Sequence, residues 1–161
     1  MSALEQLIAA LQTLAALYEK LIALEGEKRD ALVAYKPARV EQLTADEEIL
    51  IAKLGEVSAR RTQLLDALLP GSKQPTLTLL IERKPECAAQ VAPLREHLRQ
   101  LGSELARLNR LNTQLCGHAL SHVTGHLQTI AQSGICAEQG TYNRRGAARA
   151  FAARALLNRN A

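Results

Sequence analysis

Three histidines, His118, His122 and His126, recur at every fourth position, with Cys116 just ahead of them. On a helix that spacing lines them along one slowly drifting face. Imidazoles so placed can ligate a transition metal or take up protons near neutral pH. No glutamate stands beside either member of a His-x-x-x-His pair, so the zinc-protease motif is missing. With no third ligand in pattern, the histidines read as a polar, interfacial stripe whose protonation would make an interface pH-sensitive. Nucleophilic chemistry finds no more support. There is no Gly-x-Ser-x-Gly, no phosphate-cradling glycine loop, and no acid placed to orient a histidine. The chain reads as a non-enzyme, with no catalytic residue, cofactor or metal expected.

A second chemical feature is charge. Residues 1–139 carry 15 Lys+Arg against 16 Asp+Glu, so the net charge of +4 comes from the end of the chain. Arg144, Arg145, Arg149, Arg154 and Arg159 follow Glu138, the last acid. These arginines are dispersed among alanines, with Phe151, Leu156 and Leu157, which describes an amphipathic segment suited to docking on a protein groove. Nucleic acid and lipid are the less favoured partners for it. Only four aromatic residues occur in 161, too few for a base-stacking platform.

The elements that must hold these residues are helical. Leucine and alanine dominate, and strand formers are scarce. Ser2 and Glu5 form a capping-box pattern opening a first helix to about Tyr35, with Leu4, Leu7, Ile8, Leu11, Leu14, Leu21 and Ile22 on its apolar face. From Glu25 to Asp30 the composition turns charged, so this helix is expected to leave the core there. Pro37 interrupts it. A short turn over Ala38–Leu43 leads to a second capping box at Thr44–Glu47 and a helix to about Leu69. Pro70-Gly71-Ser72 is a stop, and Thr76–Lys84 reads as a short helix. Pro85 opens the last long helix, which runs to Ser133, with Gly134 as its stop; Pro93 either kinks it or marks its true start.

One seam of that last helix reads Cys87, Leu94, Leu101, Leu108, Leu115, His122, Thr129, and the other Val91, Leu98, Leu105, Asn112, Ala119, His126, Ser133. Leucine at both registers requires burial against other helices. Past Asn112, itself a register-setting residue type at a seam, the stripe becomes small, polar and titratable. The expected fold is all-α: an elongated antiparallel three-helix bundle with coiled-coil-like packing over residues 1–139, then a helical, basic Ala/Arg-rich tail over 140–161. No secretory signal is expected, and no stretch reaches 18 uninterrupted apolar residues, so no membrane insertion. Cys87, Cys116 and Cys136 read as reduced thiols of a cytosolic protein.

The arrangement Leu108-Asn109-x-x-Asn112-x-x-Leu115 inside a long helix, followed by Tyr142-Asn143-Arg144-Arg145-Gly146, resembles the FlgN family of flagellar export chaperones. That family carries this asparagine pattern and then a Tyr-Gly-x-x-Gly turn; here Asn143 replaces the first glycine. The resemblance implies a cytosolic chaperone that holds the C-terminal helices of hook-associated (hook–filament junction) proteins, prevents early assembly and brings them to the type III export gate. It places the client site at the end of the last helix and beyond, where the helix's own Leu108, Leu111, Asn112, Leu115, Ala119, Leu120, Val123, Leu127 and Ile130 offer a helix-in-groove surface, with close approach at Ala119 and Gly125. It assigns Tyr142, with Gly146, to docking on the export-gate protein FlhA. The alternative is a generic helical adaptor that self-associates into a homo-oligomer through the same stripe and offers a basic arm to an acidic partner.

Overall fold

The computed structural model describes residues 2–132, and the backbone there is helix and short connections. Four α-helices follow in order: α1 (Ala3–Val33), α2 (Pro37–Leu68), α3 (Leu77–Arg83) and α4 (Ala88–Gln132), with a 3-10 turn at Pro85–Cys87 before α4. No strand occurs among the described residues. The all-α expectation holds. The chain divides into two units, residues 1–117 and 118–161, and each is taken on its own. The expected division at 139/140, the stop at Gly134 and the tail lie outside the described residues.

Local chemistry accounts for the ends. Ser2 Oγ accepts from the Glu5 amide at 3.2 Å, and Glu5 Oε2 accepts from the Ser2 amide at 2.7 Å, so the capping box forms. At the other end of α1, Tyr35 N–H donates to Leu32 O and Lys36 N–H donates to Ala31 O. That is the paired bonding of a Schellman motif, which needs a left-handed residue between the bonds. Tyr35 fills that position at φ 53°, where glycine is usual. Thr76 caps α3 by accepting from the Leu79 amide. Gly71, at φ 81°, turns the chain out of the second helix.

Two boundaries differ from expectation. The second long helix starts at Pro37 rather than after Thr44, because proline at the first helical position fits the helix it opens. Thr44 caps nothing; its hydroxyl donates to Val40 O, one turn back. The last helix begins at Ala88, after a 3-10 turn at Pro85, and Pro93 lies inside it, so it does not start there.

In residues 1–117, Gln6 meets Arg60 at 3.0 Å and Lys28 meets Glu47 at 2.5 Å, so α2 runs antiparallel to α1. Glu19 meets His97 at 3.3 Å and Glu25 meets Asn112, so this part of α4 runs parallel to α1. Leu7, Leu11, Leu14, Leu65, Leu69, Leu80, Cys87 and Val91 make the core, with Leu94 and Leu98 against it. Each fully buried leucine contributes roughly 2 kcal/mol. One 18-residue window of α1, of mean hydropathy 1.5, is long and apolar enough to cross a membrane. A criterion of uninterrupted apolar residues passes over that window. Here the same leucines, with Leu17 and Leu21, are buried within the protein.

Tyr35 is 72% exposed, so its ring contributes little packing in exchange for the left-handed backbone. Tyr35→Gly should raise stability by about 1 kcal/mol in denaturant unfolding, whereas Gly71→Ala should lower it by a similar amount.

Candidate functional site

The last helix carries the residues singled out in the sequence, and they fall into two groups. In residues 1–117, Leu108 and Asn112 are buried, Leu111 and Leu115 half-buried, and Asn109 exposed beside a shallow depression shared with Ala106, Arg110 and Gln114. Leu108 and Asn112 are therefore committed to the chain's own interior.

Asn112 sits at a polar node between three helices. Its amide donates to Glu25 O at 2.9 Å and to the Glu25 carboxylate, 87 positions earlier in sequence. Lys28 Nζ lies 3.3 Å from Glu25 and 2.5 Å from Glu47. Glu25 is 1% exposed and Asn112 3%. The charged stretch after Glu25 was expected to leave the core; instead its first residue is among the most buried. A carboxylate survives there because donors surround it. Burial pushes the Glu25 carboxyl up, but hydrogen bonding with Glu47, Asn112 and Lys28 outweighs burial and holds it below the usual range. Burial, and the hydrogen bond shared with Glu25, raise Glu47. Burial pulls the Lys28 ammonium down, and Glu47 and Glu25 more than offset it. Asn112 Oδ1 is left buried without a hydrogen bond. The sequence signal for this node was a seam asparagine; nothing local named Glu25 as its partner.

In the second unit, the described residues His118–Gln132 continue as helix. Ala119 is half-buried, while Leu120 is 64% exposed, Val123 57% and Leu127 60%. Spacings of three and four place these three large side chains on one face. His118, His122 and His126 are exposed as well, and the rings of the latter two stand 4.5 Å apart at a tilt of 53°. No group of three or more His, Cys, Asp or Glu side chains among the described residues is placed to hold a metal ion. At Gly125 an added Cβ would meet nothing within 4 Å, so the helix is bare there. Ile130 lies in the helix, but its side chain is outside the described set; so are Tyr142 and Gly146. The described part of this unit thus presents an apolar strip with polar neighbours.

Comparison with known proteins gives one finding. The family model described as FlgN protein matches residues 1–150. No curated protein and no solved structure matches the chain.

Asn112→Ala leaves the Glu25 carboxylate and carbonyl short of a donor and should cost about 2–3 kcal/mol, read as a lowered unfolding midpoint. The acid response follows from the directions above. Glu25 is depressed in the folded chain, so its contribution is present above the ordinary carboxylate range and lost as pH falls through its lowered value. Raised Glu47 contributes the other way, losing its share as pH rises through its raised value. Denaturant titrations from pH 3 to pH 7 should show wild type losing its advantage over Glu25→Gln in acid. Against Glu47→Gln, wild type should lose ground toward pH 7.

Proposed function

The chain belongs to the FlgN family, a family of flagellar export chaperones, and from that premise we propose that it holds the C-terminal helices of hook-associated proteins in the cytoplasm. It keeps them from assembling early and brings them to the export gate. The observation that carries this reading is the exposed face of Leu120, Val123 and Leu127 on a helix whose earlier leucines are buried. Large aliphatic side chains left in water at one helical spacing are the half-site for an amphipathic helix. Junction-protein termini that coil together in the filament would offer such helices.

In this reading a three-helix bundle with coiled-coil-like packing is the scaffold. Leu111, Leu115, Ala119 and Ile130 border the client face, and Gly125 permits close backbone approach. Leu108 and Asn112 support the site from inside rather than touch the client, since both are buried. Tyr142, with Gly146 completing the turn, docks on FlhA; an aromatic side chain is the type that anchors an interface. Residues 140–161 form a helical, basic arm for the client or gate. The chemistry is binding, with no reaction catalysed.

Co-purification with a client's C-terminal segment tests the reading. Replacing Leu120, Val123 and Leu127 together by glutamine should weaken capture at least tenfold with the unfolding midpoint of the bundle unchanged, since these side chains are already solvated. Gly125→Ala should strengthen the helix by up to about 1 kcal/mol yet weaken capture if backbones meet there. Tyr142→Ala should abolish FlhA binding and leave client capture intact. Retained capture by the triple variant would return the stripe to a self-associating adaptor, and a concentration-dependent dimer in sedimentation would mark it so.

A further inference from the structure

We propose that the client face selects its partner by charge as well as shape: it takes an amphipathic helix whose apolar stripe is flanked by carboxylates. This inference rests on the helix-binding reading of Leu120, Val123 and Leu127 and adds the chemistry of the partner's flanks.

Two observations carry it. First, no aspartate or glutamate occurs between Glu104 and Glu138, and Glu104 itself is tied to Arg107 by bonds of 2.7 and 2.8 Å. From Leu105 to Ala161 the chain carries seven arginines against the single Glu138, while residues 1–104 carry 13 Lys+Arg against 15 Asp+Glu. The stretch 105–137, which includes the exposed face, thus holds Arg107 and Arg110 and no acid. Second, the described part of the second unit has only histidines as titratable side chains, and all three are exposed. At about 100° per residue, His122 and His126 fall on the strip beside Leu120, Val123 and Leu127, and Ser121, Thr124 and Gln128 lie on the opposite flank. The His122 and His126 rings and the Gln128 amide thus offer N–H donors beside the strip, while the Thr124 hydroxyl already donates to Leu120 O at 2.9 Å. A partner helix with glutamates or aspartates beside its apolar residues finds donors there. A partner with lysines or arginines finds no carboxylate there to receive them. Complementary charge of this kind raises association rates and rejects wrong partners more than it adds affinity.

Three synthetic peptides that share one apolar heptad stripe and differ only at the flanking positions, in Glu, Gln or Lys, provide the test against the full-length chain. In 50 mM salt the Glu peptide should bind on the order of tenfold tighter than the Gln peptide, and the Lys peptide weakest, as expected for several exposed charge pairs. The ranking should compress in 500 mM salt. The combined His118→Gln, His122→Gln, His126→Gln variant should narrow the difference in affinity between the Glu and Gln peptides. Equal affinity for Glu and Lys peptides, with all three still lost in the Leu120/Val123/Leu127 glutamine variant, would overturn charge selection and leave helix binding standing. Failure of all three peptides to bind would overturn both. So would a dimer of the chain that no peptide dissociates, since a second copy would then own the face.

Discussion

The hydrogen bonds between Asn112 and Glu25 set the register on which the rest of the structure depends. A carboxylate that is 1% exposed is tolerable only where donors meet it. Asn112 supplies two bonds from the last helix and Lys28 a charge from the next turn of the first, with Lys28 also bonded to Glu47 of the second. Slide α4 along α1 by one turn and Glu25 keeps its burial but loses its amide partner. With Lys28 still paired to Glu25, the lost donor costs about 2–3 kcal/mol, a penalty that a shifted leucine stripe does not itself carry. Leucine seams alone tolerate such slips, because one leucine replaces another with little change in buried area. The polar node discriminates where the apolar seam does not.

That constraint also explains the division of labour along α4. Up to Asn112 the helix satisfies itself: Val91 and Leu108 are buried, and Leu94 and Leu98 lie against the core. In the second unit the described side chains past Ala119 are exposed, three large aliphatic ones among them. Under the proposed reading the first condition gives a scaffold of fixed register, and the second an apolar face for a segment supplied by another protein. Exposed aliphatics are a liability in a free protein. The surrounding histidines, threonines and glutamine keep the face hydrated without filling it.

Much of this was legible from local patterns, and particular residues show where legibility stops. Ser2 and Glu5 announced their capping box because both bonds lie within one turn. The short helix expected over Thr76–Lys84 forms as Leu77–Arg83, with Thr76 as its cap rather than its first residue. Thr44 misled: the same Thr-x-x-Glu pattern lay inside a helix already started by Pro37, and a threonine hydroxyl there bonds back to a carbonyl rather than forward to an amide. Tyr35 gave no sign of its left-handed backbone, since the turn that demands it belongs to the junction of two helices. Leu108 and Asn112 looked like members of one continuous surface with Leu120 and Val123 until their burial separated them.

The sequence by itself determined the helical class, the cap at Ser2, the apolar stripe with its polar continuation, and the resemblance that led to the family. These are properties of residues within a turn or two of each other, or of composition. Only the tertiary structure decided that Glu25, in a run that reads as solvent-facing, is a buried anchor, and that Asn112 is its partner. Those two residues are 87 positions apart. Their pairing follows from how whole helices pack, and no local propensity encodes which donor a buried carboxylate will meet.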